Sequence, residues 1–138
     1  MSCRRRSCKV LLGGFVALAF LLGAYGRDVW ADSSTATLVT VRLVDDRFLP
    51  STLTFQHAVL YHLHLENDGT TMHEFTAPTF FAAIEVKNPG VLEAGHGGLV
   101  LQPGERKELY FIAAAPGRYA LSCADHDWDG MTGNIIVE

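Results

Sequence analysis

Cysteine is scarce in this chain. Three stand among 138 residues, and two of them, Cys3 and Cys8, precede an apolar run at the N-terminus. Beyond that run Cys123 is alone. It has no partner for an intramolecular disulfide, so a disulfide-stapled scaffold is excluded for residues 32–138. Methionine is equally sparse, at three, which leaves too few thioethers for a Met-rich surface. Basic residues are few as well: residues 32–138 carry six Lys and Arg against fourteen Asp and Glu, a net charge of −8. So acidic a segment is a poor match for the phosphate backbone of nucleic acid. It suits a basic partner better. No internal repeat and no low-complexity linker interrupts it. Nor is there an apolar run of the about 20 residues that a spanning helix needs.

The N-terminus reads as an export signal. Arg4, Arg5, Arg6 and Lys9 form a basic start, and Val10 to Tyr25 is apolar apart from its glycines. Val29-Trp30-Ala31 then puts small residues at the two positions an export peptidase reads. Residues 1–31 are therefore expected to be a signal peptide cleaved after Ala31, with a retained anchor as the other outcome. Ser7-Cys8-Lys9 fits a twin-arginine signal badly. The expected compartment is the periplasm, either free or at the membrane. Residues 32–138 make one small domain, long enough to bury a single core without disulfides.

That domain patterns as strands. Thr37-Leu-Val-Thr-Val-Arg-Leu-Val alternates and is rich in β-branched residues. Asp45-Asp46 is turn chemistry. A short strand is expected at Thr52 to Phe55. In the next, Val59 to Glu66, the residues Val59, Tyr61, Leu63 and Leu65 share the inner face. Asn67-Asp68-Gly69 breaks it. Thr79 to Ala83 reads as one helical turn or a short extended piece. Further strands are expected at Leu99 to Leu101, Lys107 to Ile112, Arg118 to Cys123 and Gly133 to Glu138. Short strands at regular spacing with turns between them argue for an all-β sandwich.

The chemistry concentrates near the C-terminus, in Cys123-Ala-Asp-His126-Asp-Trp-Asp-Gly-Met131. A second imidazole, His73, lies in Thr70-Thr-Met-His-Glu-Phe. Two histidines, a cysteine and a weak methionine are the donor set of a blue-type copper site. Were Cys123 only a small buried hydrophobe, the spacing of His126 and Met131 would be coincidence. A sandwich carrying the donors on loops at one end would preorganise them. Cys123, His126 and Met131 are expected from the loop joining the last two strands, and His73 from another loop.

The segment Pro116-Gly-Arg-Tyr-Ala-Leu-Ser-Cys123-Ala-Asp-His126-Asp-Trp-Asp-Gly-Met131-Thr-Gly-Asn-Ile-Ile-Val resembles the C-terminal signature of the cupredoxins. Its Cys–His and His–Met gaps are similar to those of plastocyanins and pseudoazurins. Phe48-Leu-Pro, the loop from Asn67 to His73, and Leu101-Gln-Pro-Gly-Glu resemble further landmarks of the family. The resemblance covers residues 36 to 138. It implies a Greek-key β-sandwich of about eight strands, one mononuclear copper, and single-electron transfer without substrate turnover. By the same match His73, Cys123 and His126 would form the trigonal set, with Met131 axial.

Two departures from the family pattern bear on the site. Members commonly carry Asn after the first ligand His and Ser or Thr after the Cys, and the two hydrogen-bond. Here Glu74 and Ala124 stand instead, so that bond is lost. Asp125 replaces a Pro that often precedes the second His and restores a backbone N–H. Aimed at the Cys123 sulfur, this N–H is expected to lower the reduction potential. Glu74 is expected to face water or bond a neighbouring loop, because side chains flanking a ligand in extended chain point away from it; direct coordination is the other outcome.

The resemblance also places the C-terminal ligand His126 at the surface. Met72, Trp128 and Phe80 or Phe81 could rim it as a docking patch, ringed by Asp125, Asp127 and Asp129. The partner implied is a basic redox protein such as a c-type cytochrome or a terminal oxidase. Among the remaining histidines, His62 and His64 share an outward strand face, His57 sits in a turn, and His96 lies in a Gly-rich loop. Enzymatic cupredoxin domains need further His ligands around the thiolate, whereas Ser122 and Ala124 flank Cys123. A dinuclear centre needs two cysteines. The other function carried forward is a copper-binding subunit, carrier or chaperone associated with a membrane oxidase complex.

Overall fold

Alternation of apolar and polar residues builds two facing sheets. The computed structural model describes residues 35–93 and 97–138. The expected signal segment 1–31 and His96 lie outside the described residues. Ten strands follow one another: β1 (Thr37–Val44), β2 (Arg47–Leu49), β3 (Thr52–Phe55), β4 (Leu60–Asn67), β5 (His73–Thr76), β6 (Ile84–Val86), β7 (Gly98–Leu101), β8 (Arg106–Ala113), β9 (Gly117–Ser122) and β10 (Thr132–Val137). One sheet is ordered β2-β1-β4-β8-β6 and the other β3-β10-β9-β5-β7. Strands β1 and β4 pair in parallel, as do β3 and β10. Neighbours that are not consecutive in sequence require crossovers between the sheets, as a Greek-key sandwich does.

The strand count exceeds the expected eight or so because of β2, β5 and β6, which hold only three or four residues each. Strands β2 and β6 edge their sheet, and short edges offer little backbone to a stray partner. The finding for β5 moves one site residue: His73 opens a strand rather than lying in a loop. Pro78 to Phe81 forms the single helical turn α1, with Pro at its start, where a missing N–H costs nothing.

Strand β4 alternates as its sequence does. Tyr61, Leu63 and Leu65 are buried, while His62, His64 and Glu66 are half-buried on the outer face. The core between the sheets is aromatic. The rings of Phe55, Tyr61, Phe80 and Phe111 stand 4.7–5.9 Å apart, and such pairs add about 0.5–1.5 kcal/mol each beyond area burial. Phe80 therefore does not rim the surface as the sequence suggested. The helical turn points it inward and leaves Pro78 and Thr79 exposed. His57 lies in the turn after β3, its backbone N–H donating to the Glu138 carbonyl at 2.7 Å. Among the described residues no helix is long and apolar enough to cross a membrane.

Candidate metal centre

Strand β9 ends at Ser122, and the next residue, Cys123, is a fully buried free thiol. The loop from Cys123 to Met131 closes on itself. Cys123 N–H donates to the Met131 carbonyl at 3.1 Å, His126 N–H to the Cys123 carbonyl at 3.0 Å, and Met131 N–H to the His126 carbonyl at 3.0 Å. Residues Asp127–Asp129 make a tight helical turn ended by Gly130 at φ 95°, a left-handed conformation that glycine adopts without strain. These bonds fix the backbone that carries Cys123, His126 and Met131.

The four sequence-predicted donors divide into a cluster and a cap. The ligand atoms of His73, Cys123 and His126 all lie within 4.8 Å of one another. Cys123 Sγ is 3.3 Å from His126 Nδ1 and 4.0 Å from His73 Nδ1. An ion about 2.0–2.3 Å from each nitrogen and sulfur would separate such donors by roughly 3.5–4 Å, so the cluster matches one small ion. Met131 is fully buried at the end of the same loop. His73 is also fully buried, whereas His126 is only half-buried. One imidazole edge of the centre thus reaches toward solvent.

The sulfur sits among opposing influences. Burial raises the Cys123 pKa above its ordinary value; backbone N–H groups of Glu74, Asp125 and His126 pull it down, and the Glu74 charge pushes it up again. The Glu74 N–H lies 3.3 Å from Sγ. These N–H groups favour negative charge on sulfur. The reduced centre leaves more of that charge on sulfur than the oxidised one. With copper bound, an N–H from Asp125 would therefore favour the reduced state and raise the potential, opposite to the direction expected from the sequence.

Glu74 is buried, not water-facing. Its carboxylate accepts from Thr76 Oγ1 at 3.2 Å on the same strand, and it lies outside the donor cluster. Ala124 is exposed and makes no side-chain link to the first ligand loop. Trp128 is 78% exposed, with its indole N–H on the Asp125 carbonyl at 2.9 Å. Asp125, Asp127 and Asp129 are exposed around it and Met72 is half-buried. His62 and His64 are taken up by Glu108: His62 Nε2 and His64 Nδ1 each bond one of its carboxylate oxygens.

Two positioning residues were not singled out as site residues in the sequence. Asn67, 1% exposed, clamps the loop before His73. Its Nδ2 donates to the carbonyls of Thr71 and Leu101, both at 2.9 Å, and its Oδ1 accepts from Gly69 N–H at 2.9 Å. Asp45 accepts from Thr70 N–H at 2.9 Å. That bond, with smaller help from the His73 imidazole, holds its carboxyl below the ordinary value despite some desolvation. The signal in both cases was turn chemistry, Asp45-Asp46 and Asn67-Asp68-Gly69, whose partners lie far off in the chain.

The chain belongs to the cupredoxin-like domain family, whose model matches residues 14–137. No curated protein matches it in sequence. Among solved structures it is similar to auracyanin B, with 20% identity and a TM-score of 0.56, over 75% of this chain and 90% of that one. It is similar to reduced auracyanin from the photosynthetic bacterium Roseiflexus castenholzii, with 20% identity and a TM-score of 0.57, over 75% and 98%. It also resembles a copper-containing nitrite reductase from Thermus scotoductus, at 20% identity and a TM-score of 0.53, but covers only 28% of that chain. Likeness at this identity speaks for the fold. The fold, the family and the donor set together define a type 1 copper centre for one ion.

Proposed function

We propose that this protein is an exported carrier of single electrons, with residues 32–138 as its cupredoxin domain and His73, Cys123, His126 and Met131 as its ligands. The observation that carries the reading is the buried Cys123 sulfur facing the Nδ1 atoms of a sealed His73 and a half-open His126. Copper bound there supplies a one-electron couple. His73, Cys123 and His126 would form the trigonal set and Met131 the axial cap. The backbone bonds of residues 123–131 keep Cys123, His126 and Met131 in place, and the Asn67 clamp does so for the loop before His73, so little reorganisation would accompany a change of charge. Burial of Cys123, His73 and Met131 excludes water and slows exchange of the ion. That argues for a resident cofactor and against a carrier or chaperone, which needs accessible ligands.

His126 would be the port. The exposed Trp128 and the three aspartates of the same loop, with the half-buried Met72 that precedes His73 in the chain, would offer an apolar contact within negative charge. The partner would be a basic redox protein, a c-type cytochrome or a terminal oxidase, met in the periplasm or at the membrane. Its rate of electron exchange with a cationic cytochrome should fall as salt is added and should fall further when Asp125, Asp127 and Asp129 are changed to Asn. A salt-independent rate would contradict this docking.

A further inference from the structure

One polar atom of the centre stands without a partner. His73 Nε2 is buried and makes no hydrogen bond. His73 turns Nδ1 toward Cys123. If Nδ1 gives its lone pair to a metal, the ring proton must reside on Nε2. A buried N–H then needs an acceptor. The nearest charged group is Asp45, whose Oδ1 lies 3.5 Å from Nε2. That spacing is too long for a good hydrogen bond and short enough to close with a small side-chain rotation.

The surroundings favour that rotation. Asp45 sits in the turn between β1 and β2, on the opposite sheet from His73. Its carboxylate is tethered by Thr70 N–H at 2.9 Å and Thr70 Oγ1 at 3.3–3.4 Å. Gly69 leaves the path between the two groups open. A Cβ at Gly69 would fall 2.6 Å from His73 Nε2 and 2.7 Å from Asp45 Oδ1. Nothing larger than glycine fits between imidazole and carboxylate.

The geometry points to Asp45 as the positioning residue for His73: its carboxylate accepts a hydrogen bond from Nε2–H, fixes the tautomer that leaves Nδ1 facing Cys123, and keeps a negative charge one ring away from the metal. The inference rests on the copper reading above. A carboxylate behind a ligand imidazole makes that ligand more basic. It thereby favours the oxidised, more positive centre and lowers the reduction potential. Asp45 also anchors the loop between β4 and β5 through Thr70, so the test must separate charge from support.

Asp45→Asn keeps an acceptor for Thr70 and removes the charge, and Asp45→Glu keeps the charge. Two readouts are required: the midpoint potential of the copper-loaded protein, and solvent exchange of the His73 Nε2 proton by nitrogen-correlated NMR in the reduced form. We expect a higher potential and at least tenfold faster proton exchange in Asp45→Asn, with both moved back toward the parent in Asp45→Glu. If Asp45→Asn matches the parent in both, the inference falls while the copper reading stands. If the parent itself shows no reversible couple, the copper reading falls and the inference with it. A change in thermal stability alone, with potential and exchange unmoved, would assign Asp45 a purely structural role and overturn the inference.

Discussion

The backbone N–H of Glu74 points at the sulfur of Cys123 across 3.3 Å. It joins the start of β5 to the loop after β9, strands that also meet where Thr76 pairs with Ser122. The Asn-to-Ser or Asn-to-Thr side-chain link common in the family is gone here, and this backbone contact remains. It explains why Glu74 and Ala124 can stand at those positions without the loops parting.

Changing Glu74 to Gln should leave the shape of the visible spectrum unchanged, because the carboxylate bonds Thr76 and lies outside the donor cluster. The potential should rise, since a buried negative charge favours the oxidised centre. Optical spectroscopy with potentiometry checks both. A change of colour class would mean that Glu74 coordinates.

Asp125→Pro removes an N–H that helps stabilise charge on the Cys123 sulfur. The resemblance to plastocyanin-like proteins, which tend to carry Pro before this His, implies that the loop should fold. The reduction potential should drop. A rise or no change in potentiometry would refute the sign argued above.

Asn67→Ala strips the clamp from the ligand loop and takes a hydrogen-bond partner from the carbonyls of Thr71 and Leu101. Each buried partner left unsatisfied costs about 1–3 kcal/mol. Denaturant unfolding of the metal-free protein should show a loss within that range or above it. Copper affinity should weaken as well, because His73 follows this loop.

The outer face of β4 sets a pH dependence. Bonding to Glu66, outweighing desolvation and aided by Glu108, raises the pKa of His64 above 6.5. His64 and Arg106 lower that of Glu66 below 4.5. Burial pushes Glu108 up, but His62 and His64 outweigh it and bring it below 4.5. A raised histidine stabilises fully below 6.5 and loses its contribution as pH climbs through the folded value. Lowered carboxylates contribute above 4.5 and lose it as pH falls through theirs. The network should therefore contribute most between pH 4.5 and 6.5. Comparing urea midpoints of the parent and His64→Gln across pH should show the gap widest there and closing on the alkaline side.

Much of this was legible in the sequence. The strand at Thr37–Val44 alternates over eight residues, and the structure returns it with the same ends. The donor set was legible because three of its four members sit in one loop at fixed gaps. Strands β2 and β6 were not, since three residues cannot display a period. Strand β5 hid for another reason: His73, Glu74 and Phe75 are all buried, so its pattern does not alternate. Asn67 and Asp45 read only as turn formers because their partners stand 34 and 25 residues away. Long-range hydrogen bonds leave no periodic trace.

The central claim is that the Cys123 sulfur, held between His73 and His126, makes the copper centre. The most direct measurement pairs the visible spectrum and the voltammogram of the copper-loaded parent with those of Cys123→Ser. The parent should show an intense sulfur-to-copper charge-transfer band and a reversible one-electron wave, and the serine variant should show neither. Survival of both in Cys123→Ser would contradict the account.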